Sequence, residues 1–113
     1  MKIRDFLQDP TSPEDSQRLF LNFKRNDENI KSLLKKMDAM LRKLKMPELA
    51  EKEGRLNLKF VNAKTDFYEA HKKGKIRKMH RLAMIIDNLA GQAYEMHKNI
   101  EDIYYEKFKN EVK

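Results

Sequence analysis

Cysteine and tryptophan are absent from this chain, and glycine and proline occur only three times each in 113 residues. Without cysteine there is no disulfide framework and no thiolate chemistry, which suits a reducing, cytoplasmic location. The isolated Gly54, Gly74 and Gly91 cannot build a glycine-rich phosphate loop. Long apolar runs are missing too. The longest, Leu82 to Ile86, falls far short of the roughly 20 residues that a membrane span needs. Met1-Lys2-Ile3-Arg4-Asp5 holds no apolar stretch of a secretory signal. Neither a membrane nor an export route is expected.

What remains is a charged, helix-forming composition. Charged residues make up 38% and the hydrophobic set 40%, so apolar residues are numerous enough to build a core. A chain of this length forms one domain without staples. Residues 1–11 read as a short N-terminal arm, in which Ile3, Phe6 and Leu7 can make one amphipathic turn, and residues 12–113 as the folded domain.

The apolar spacing divides that domain into three helices. Ser12-Pro13-Glu14-Asp15 is a helix start: a capping hydroxyl, a proline at the first position, then acids at the positive dipole end. Phe20, Phe23, Ile30, Leu34, Met37, Leu41 and Leu44 then recur as a heptad seam, widened by Leu33 and Met40. Pro47 with Glu48 and Glu51 opens a second helix, whose seam is Leu49, Glu53, Leu56, Phe60, Ala63, Phe67 and Ala70. Gly74 offers a left-handed cap after it. A third seam runs Ile76, Met79, Ala83, Ile86, Ala90, Ala93, His97, Ile100 and Tyr104, broadened by Leu82, Leu89, Met96 and Ile103. The phase slips at Gly74, so the second and third helices are separate.

Helices are therefore expected near residues 13–45, 47–73 and 75–111. Such short connections force antiparallel neighbours, giving an all-α, up-down-up three-helix bundle with coiled-coil-like helices ~40–55 Å long. The competing arrangement is a hairpin of the second and third helices that forms a homodimer with the first helix detached.

Catalytic chemistry finds little support. Ser12 is better explained as a cap, and no hydroxyl stands beside a histidine at useful spacing. Glu69 with His71, and Glu95 with His97, are two residues apart and so lie on different helix faces; His97 and Glu101 share a face but form only one pair. No metal, cofactor, small-molecule substrate or enzymatic activity is expected.

Turning the second and third helices around Gly74 makes facing residue numbers sum to about 150. Phe60 then faces Ala90 and Phe67 faces Ala83, large against small, as a packed core requires. Glu53 and His97 fall at one level, the only ionisable residues on these two seams. A mutual hydrogen bond is expected there, because an unpaired charge in a seam is costly. Its simplest role is to fix register.

The net charge is +7, which points to an acidic partner. Residues 31–46 carry six basic residues and one acidic, but they lie toward a helix C-terminus, which favours cations. Their end of the bundle is also that of Glu101, Asp102, Glu106 and Glu111. Residues 71–81 carry six basic residues and no acidic one: Lys72, Lys73, Lys75, Arg77, Lys78 and Arg81. Lys72 and Lys73 are favourably placed in the last turn of the second helix, but Lys75, Arg77 and Lys78 crowd the first turn of the third, where the dipole disfavours them by a few tenths of a kcal/mol each. Converging cations and free backbone amides suit an anion. Asp5, Asp9, Glu14 and Asp15, expected at the same end, would instead neutralise the cluster.

Two functional expectations follow. In the first, the chain is a non-enzymatic binding module that grips an anionic partner, foremost the phosphate backbone of nucleic acid. It would not read bases, since no groove-reading motif or stacking platform is present. In the second, it is a protein-interaction scaffold or adaptor whose charge serves solubility.

Overall fold

The computed structural model describes residues 13–109. The N-terminal arm, Ser12, Asp5, Asp9 and Glu111 lie outside them. Three helices form an up-down-up bundle: α1 (Pro13–Leu44), α2 (Pro47–Lys72) and α3 (Ile76–Phe108). No strand occurs among the described residues.

Both turns follow from local chemistry. At the first, Lys45 takes a left-handed φ of 54°, its amide donates to the Leu41 carbonyl at 3.0 Å, and Met46 is extended ahead of Pro47. At the second, Gly74 supplies a left-handed φ of 69°. The Lys75 amide reaches back to the Ala70 carbonyl at 2.9 Å and the Gly74 amide to the His71 carbonyl at 3.1 Å. These two bonds form a Schellman closure, which satisfies carbonyls that the helix end would otherwise orphan. α3 starts one residue later than the spacing predicts, with Lys75 as its N-cap.

Long-range pairs fix the register. Ser16 Oγ lies 3.8 Å from Met79 Sδ, and Asn26 hydrogen-bonds Asp87, so α1 and α3 run parallel. At the far end the Lys107 ammonium donates to the Leu44 carbonyl at 3.3 Å. α3 packs against both other helices, whereas α1 and α2 touch less. The α1–α2 contact is richest where Phe23 stacks on Phe67, with centroids 4.3 Å apart, and Phe20 stacks on His71 at 4.5 Å. Because α1 packs along α3, the hairpin with a detached first helix does not describe this chain.

The core follows the three predicted seams. Phe23, Ile30, Phe60, Phe67, Met79, Ala83 and Ile86 are buried in one cluster, with Ala90 packed against it. A second cluster at the α1–α2 turn end holds Met37, Leu41, Leu44 and Ile100. Phe60 and Phe67 thus share a core with the small residues expected opposite them.

Candidate functional site

The bundle's two ends differ in charge because of where each helix starts and stops. α1 begins with Glu14 and Asp15 and α2 with Glu48, whereas α3 has no acid in its first turn. Lys75 caps α3 without a capping hydrogen bond from its side chain, and Arg77 and Lys78 follow directly. The parallel register of α1 and α3 puts the start of α1 at the same end.

Lys72, Lys73, Lys75, Arg77, Lys78 and Arg81 are all exposed. Lys73 pairs with Glu69 at 3.0 Å, and Arg77 is also partnered. The side chains of Lys72, Lys75, Lys78 and Arg81 make no hydrogen bond or ion pair among the described residues. Of the two described acids at this end, Asp15 holds Arg18 at 2.6 Å and Glu14 is exposed. The Lys73 ammonium, hydrogen-bonded to Glu69, holds that carboxyl below the usual carboxylate range, and Lys72 and Lys78 add to the effect. A carboxylate at the rim already experiences a positive field.

In the basic run at residues 31–46 two of the six cations have partners, while the side chains of Lys35, Lys36, Arg42 and Lys45 make no hydrogen bond or ion pair among the described residues. The Lys43 ammonium lies 6.0 Å from the centre of the Tyr104 ring, and Lys31 pairs with Asp27 at 3.3 Å.

Glu53 and His97 are both on the inner side of the bundle, but they are not hydrogen-bonded to each other. Glu53 is buried, and its Oε2 has no hydrogen-bond partner. The α1–α2 register that pairs Phe23 with Phe67 sets Asp38 of α1 level with Glu53, and Asp38 is the group that acts on it. Burial, then the hydrogen bond with Asp38 and its charge, push the Glu53 carboxyl up to about 8. A protonated Glu53 becomes an O–H donor to the Asp38 carboxylate, so that one proton is shared between the two acids. His97 instead stands 4.0 Å from Glu101, one turn along α3. The expected pair was level, but α2 turns Glu53 toward α1.

A third polar seam position is Asp27, which is 5% exposed. Its carboxylate is held by Lys64 of α2 at 3.0 Å and by Lys31 at 3.3 Å. The signal in the sequence is the gap in the α1 seam between Phe23 and Ile30, which position 27 fills in heptad phase.

No group of His, Asp and Glu residues suited to a metal ion occurs among the described residues, and no described helix is long and apolar enough to cross a membrane. The α2–α3 groove formed by Lys52, Arg55, Leu56, Lys59, Gln92 and Met96 is shallow and open, with no nucleophile in it. No protein-family model, curated protein or solved structure gives a significant match to the chain.

Proposed function

We propose that the chain is a non-enzymatic helical module that binds a polyanion, foremost the phosphate backbone of nucleic acid, at the α2–α3 end. One observation carries the reading: six exposed cations surround a helix start that has no acid in its first turn. Among the described residues no hydrogen bond or ion pair uses the side chains of Lys72, Lys75, Lys78 or Arg81, and Lys75 caps α3 through its backbone alone. Their mutual repulsion acts against the fold, and so does the α3 dipole at Lys75 and Lys78, whereas Lys72 suits the last turn of α2. An anion relieves both at once, and the first amides of α3 add hydrogen-bond donors for it.

The chemistry is that of phosphate binding. Lysines give point charges on flexible stems, and Arg77 and Arg81 add planar guanidinium forks that match phosphate oxygens. Binding of this kind follows backbone charge and is insensitive to base sequence.

The experiment is a titration of labelled duplex DNA and duplex RNA by fluorescence anisotropy across a salt series. Neutralising four to five phosphates gives a logarithmic salt slope of roughly −4 for DNA. Binding that is absent at low salt, or indifferent to salt, would favour the scaffold reading, in which the rim serves solubility alone.

A further inference from the structure

The outer side of α2 carries a second row in which Leu58 and Val61 stand exposed outside the core, while Tyr68 at its end packs edge-on against Phe23 of α1 at 5.1 Å and leaves one side open. The buried side of the helix is Leu56, Phe60, Ala63, Phe67 and Ala70. Away from it, Leu58, Val61, Thr65 and Tyr68 follow one another at three- and four-residue steps. Leu58 is 61% exposed, Val61 45% and Tyr68 39%. The Thr65 hydroxyl donates to the Val61 carbonyl at 2.9 Å, so it brings no unmet donor to this side. At the head of the row Gly54 faces open space: a Cβ there would meet nothing within 4 Å.

Charges flank this row in a symmetric pattern. Glu51 pairs with Arg55 at 3.3 Å near its start, and Glu69 pairs with Lys73 at 3.0 Å near its end, all four exposed. In both pairs the acid precedes the base by one turn. Rotating the helix end over end about Asn62 therefore lays Glu51 on Lys73 and Arg55 on Glu69, each acid on a base. The same rotation brings Gly54 close to Tyr68 and Leu58 close to Thr65, with Val61 beside the axis. Small residues meet large ones, as interdigitating helices require.

We infer that two copies of this chain associate through the outer side of α2, antiparallel, about a two-fold axis at Asn62. Leu58 and Val61 supply the burial, with only the open side of Tyr68 adding to it, and the Glu51, Arg55, Glu69 and Lys73 charges fix direction and register. A parallel pairing would instead set Glu51 on Glu51 and Lys73 on Lys73. Two helix faces about 30 Å long bury on the order of 1,000 Å², the low end for specific association. This inference is independent of polyanion binding, since only Lys73 is common to the two surfaces.

The absence of cysteine allows a direct register test on the full chain. A disulfide needs Cβ atoms about 4 Å apart. Val61→Cys, beside the axis and on the row itself, should cross-link to its own counterpart under mild oxidation. Glu51→Cys and Lys73→Cys should each fail alone, because equivalent positions lie about 33 Å apart in an antiparallel pair. A mixture of those two variants should cross-link. In parallel, light scattering of the unmodified chain up to about 1 mM should show a monomer–dimer equilibrium. The combination of Leu58→Glu and Val61→Glu should weaken that equilibrium roughly tenfold or more. These sites are exposed, so circular dichroism should stay helical. An unmodified chain that remains monomeric, a dimer untouched by the Leu58 and Val61 changes, or Glu51→Cys linking to itself as readily as Val61→Cys would each overturn the inference.

Discussion

Asp27 of α1 and Lys64 of α2 meet at 3.0 Å inside the α1–α2 contact, with side chains 7% and 23% exposed. The ion pair sits on the heptad seam where an apolar residue would ordinarily lie, and Lys31 braces it from one turn away. Removing one partner of such a pair strands the other in a poorly solvated place, while replacing both with apolar groups does not.

Lys64→Ala is therefore expected to cost about 1–3 kcal/mol in chemical denaturation, with Lys31 limiting the loss. Asp27→Leu combined with Lys64→Met should be neutral or stabilising. A double variant less stable than the sum of the two single changes would contradict this account of the pair.

Glu53 governs a pH dependence. Its carboxyl is raised from 4.5 to about 8 by burial and by the neighbouring Asp38 of α1. Between those values the folded state holds a proton that the unfolded state has lost. Stability from this group thus declines as pH rises from about 4.5 to 8 and is level above. Glu53→Gln, which mimics the protonated acid, should stabilise the protein by on the order of 2 kcal/mol at pH 7 and flatten that slope. Urea denaturation at pH 5, 7 and 9 measures it. A variant whose slope matches the parent would show that Glu53 is not the titrating group.

The two turns give opposite glycine effects. Lys45 holds a left-handed φ of 54° that costs a side-chain-bearing residue about 1 kcal/mol, so Lys45→Gly should raise stability by up to that amount. Gly74 holds a φ of 69°, and Gly74→Ala should lower stability by about 1–2 kcal/mol although space for the methyl is open. Thermal melts of the two variants should shift in opposite directions.

Core packing offers a further check. Phe60 is 2% exposed within the main core cluster, and Phe60→Ala should cost ~3–5 kcal/mol in the same denaturation assay. A near-neutral result would contradict the register that places it against small residues of α3.

The helices, their order and most of the core were legible from apolar spacing, because Pro13, Pro47 and Gly74 punctuate seams that hold their phase. The polar interior was only half legible. Glu53 stands out as a carboxylate on a seam, but its partner, Asp38, belongs to the exposed side of α1 and carries no periodic signal. Asp27 was marked only by a vacancy between Phe23 and Ile30, and its partner Lys64 lies just off the α2 seam. Pairing across α1 and α2 depends on a register set by the Lys45 turn, which spacing around Gly74 does not report. The basic rim was legible residue by residue, since charge against the dipole is a local property of sequence.

The most direct test of polyanion binding is the salt dependence of duplex DNA affinity, compared between the parent chain and a variant carrying Lys75→Gln, Lys78→Gln and Arg81→Gln. These residues are exposed, so the variant should stay folded and be slightly more stable, as like charges at the α3 start are removed. The account predicts weaker binding at every salt concentration and a logarithmic slope flatter by roughly 0.9 for each phosphate that the variant no longer neutralises. An affinity and a slope unchanged from the parent would contradict it.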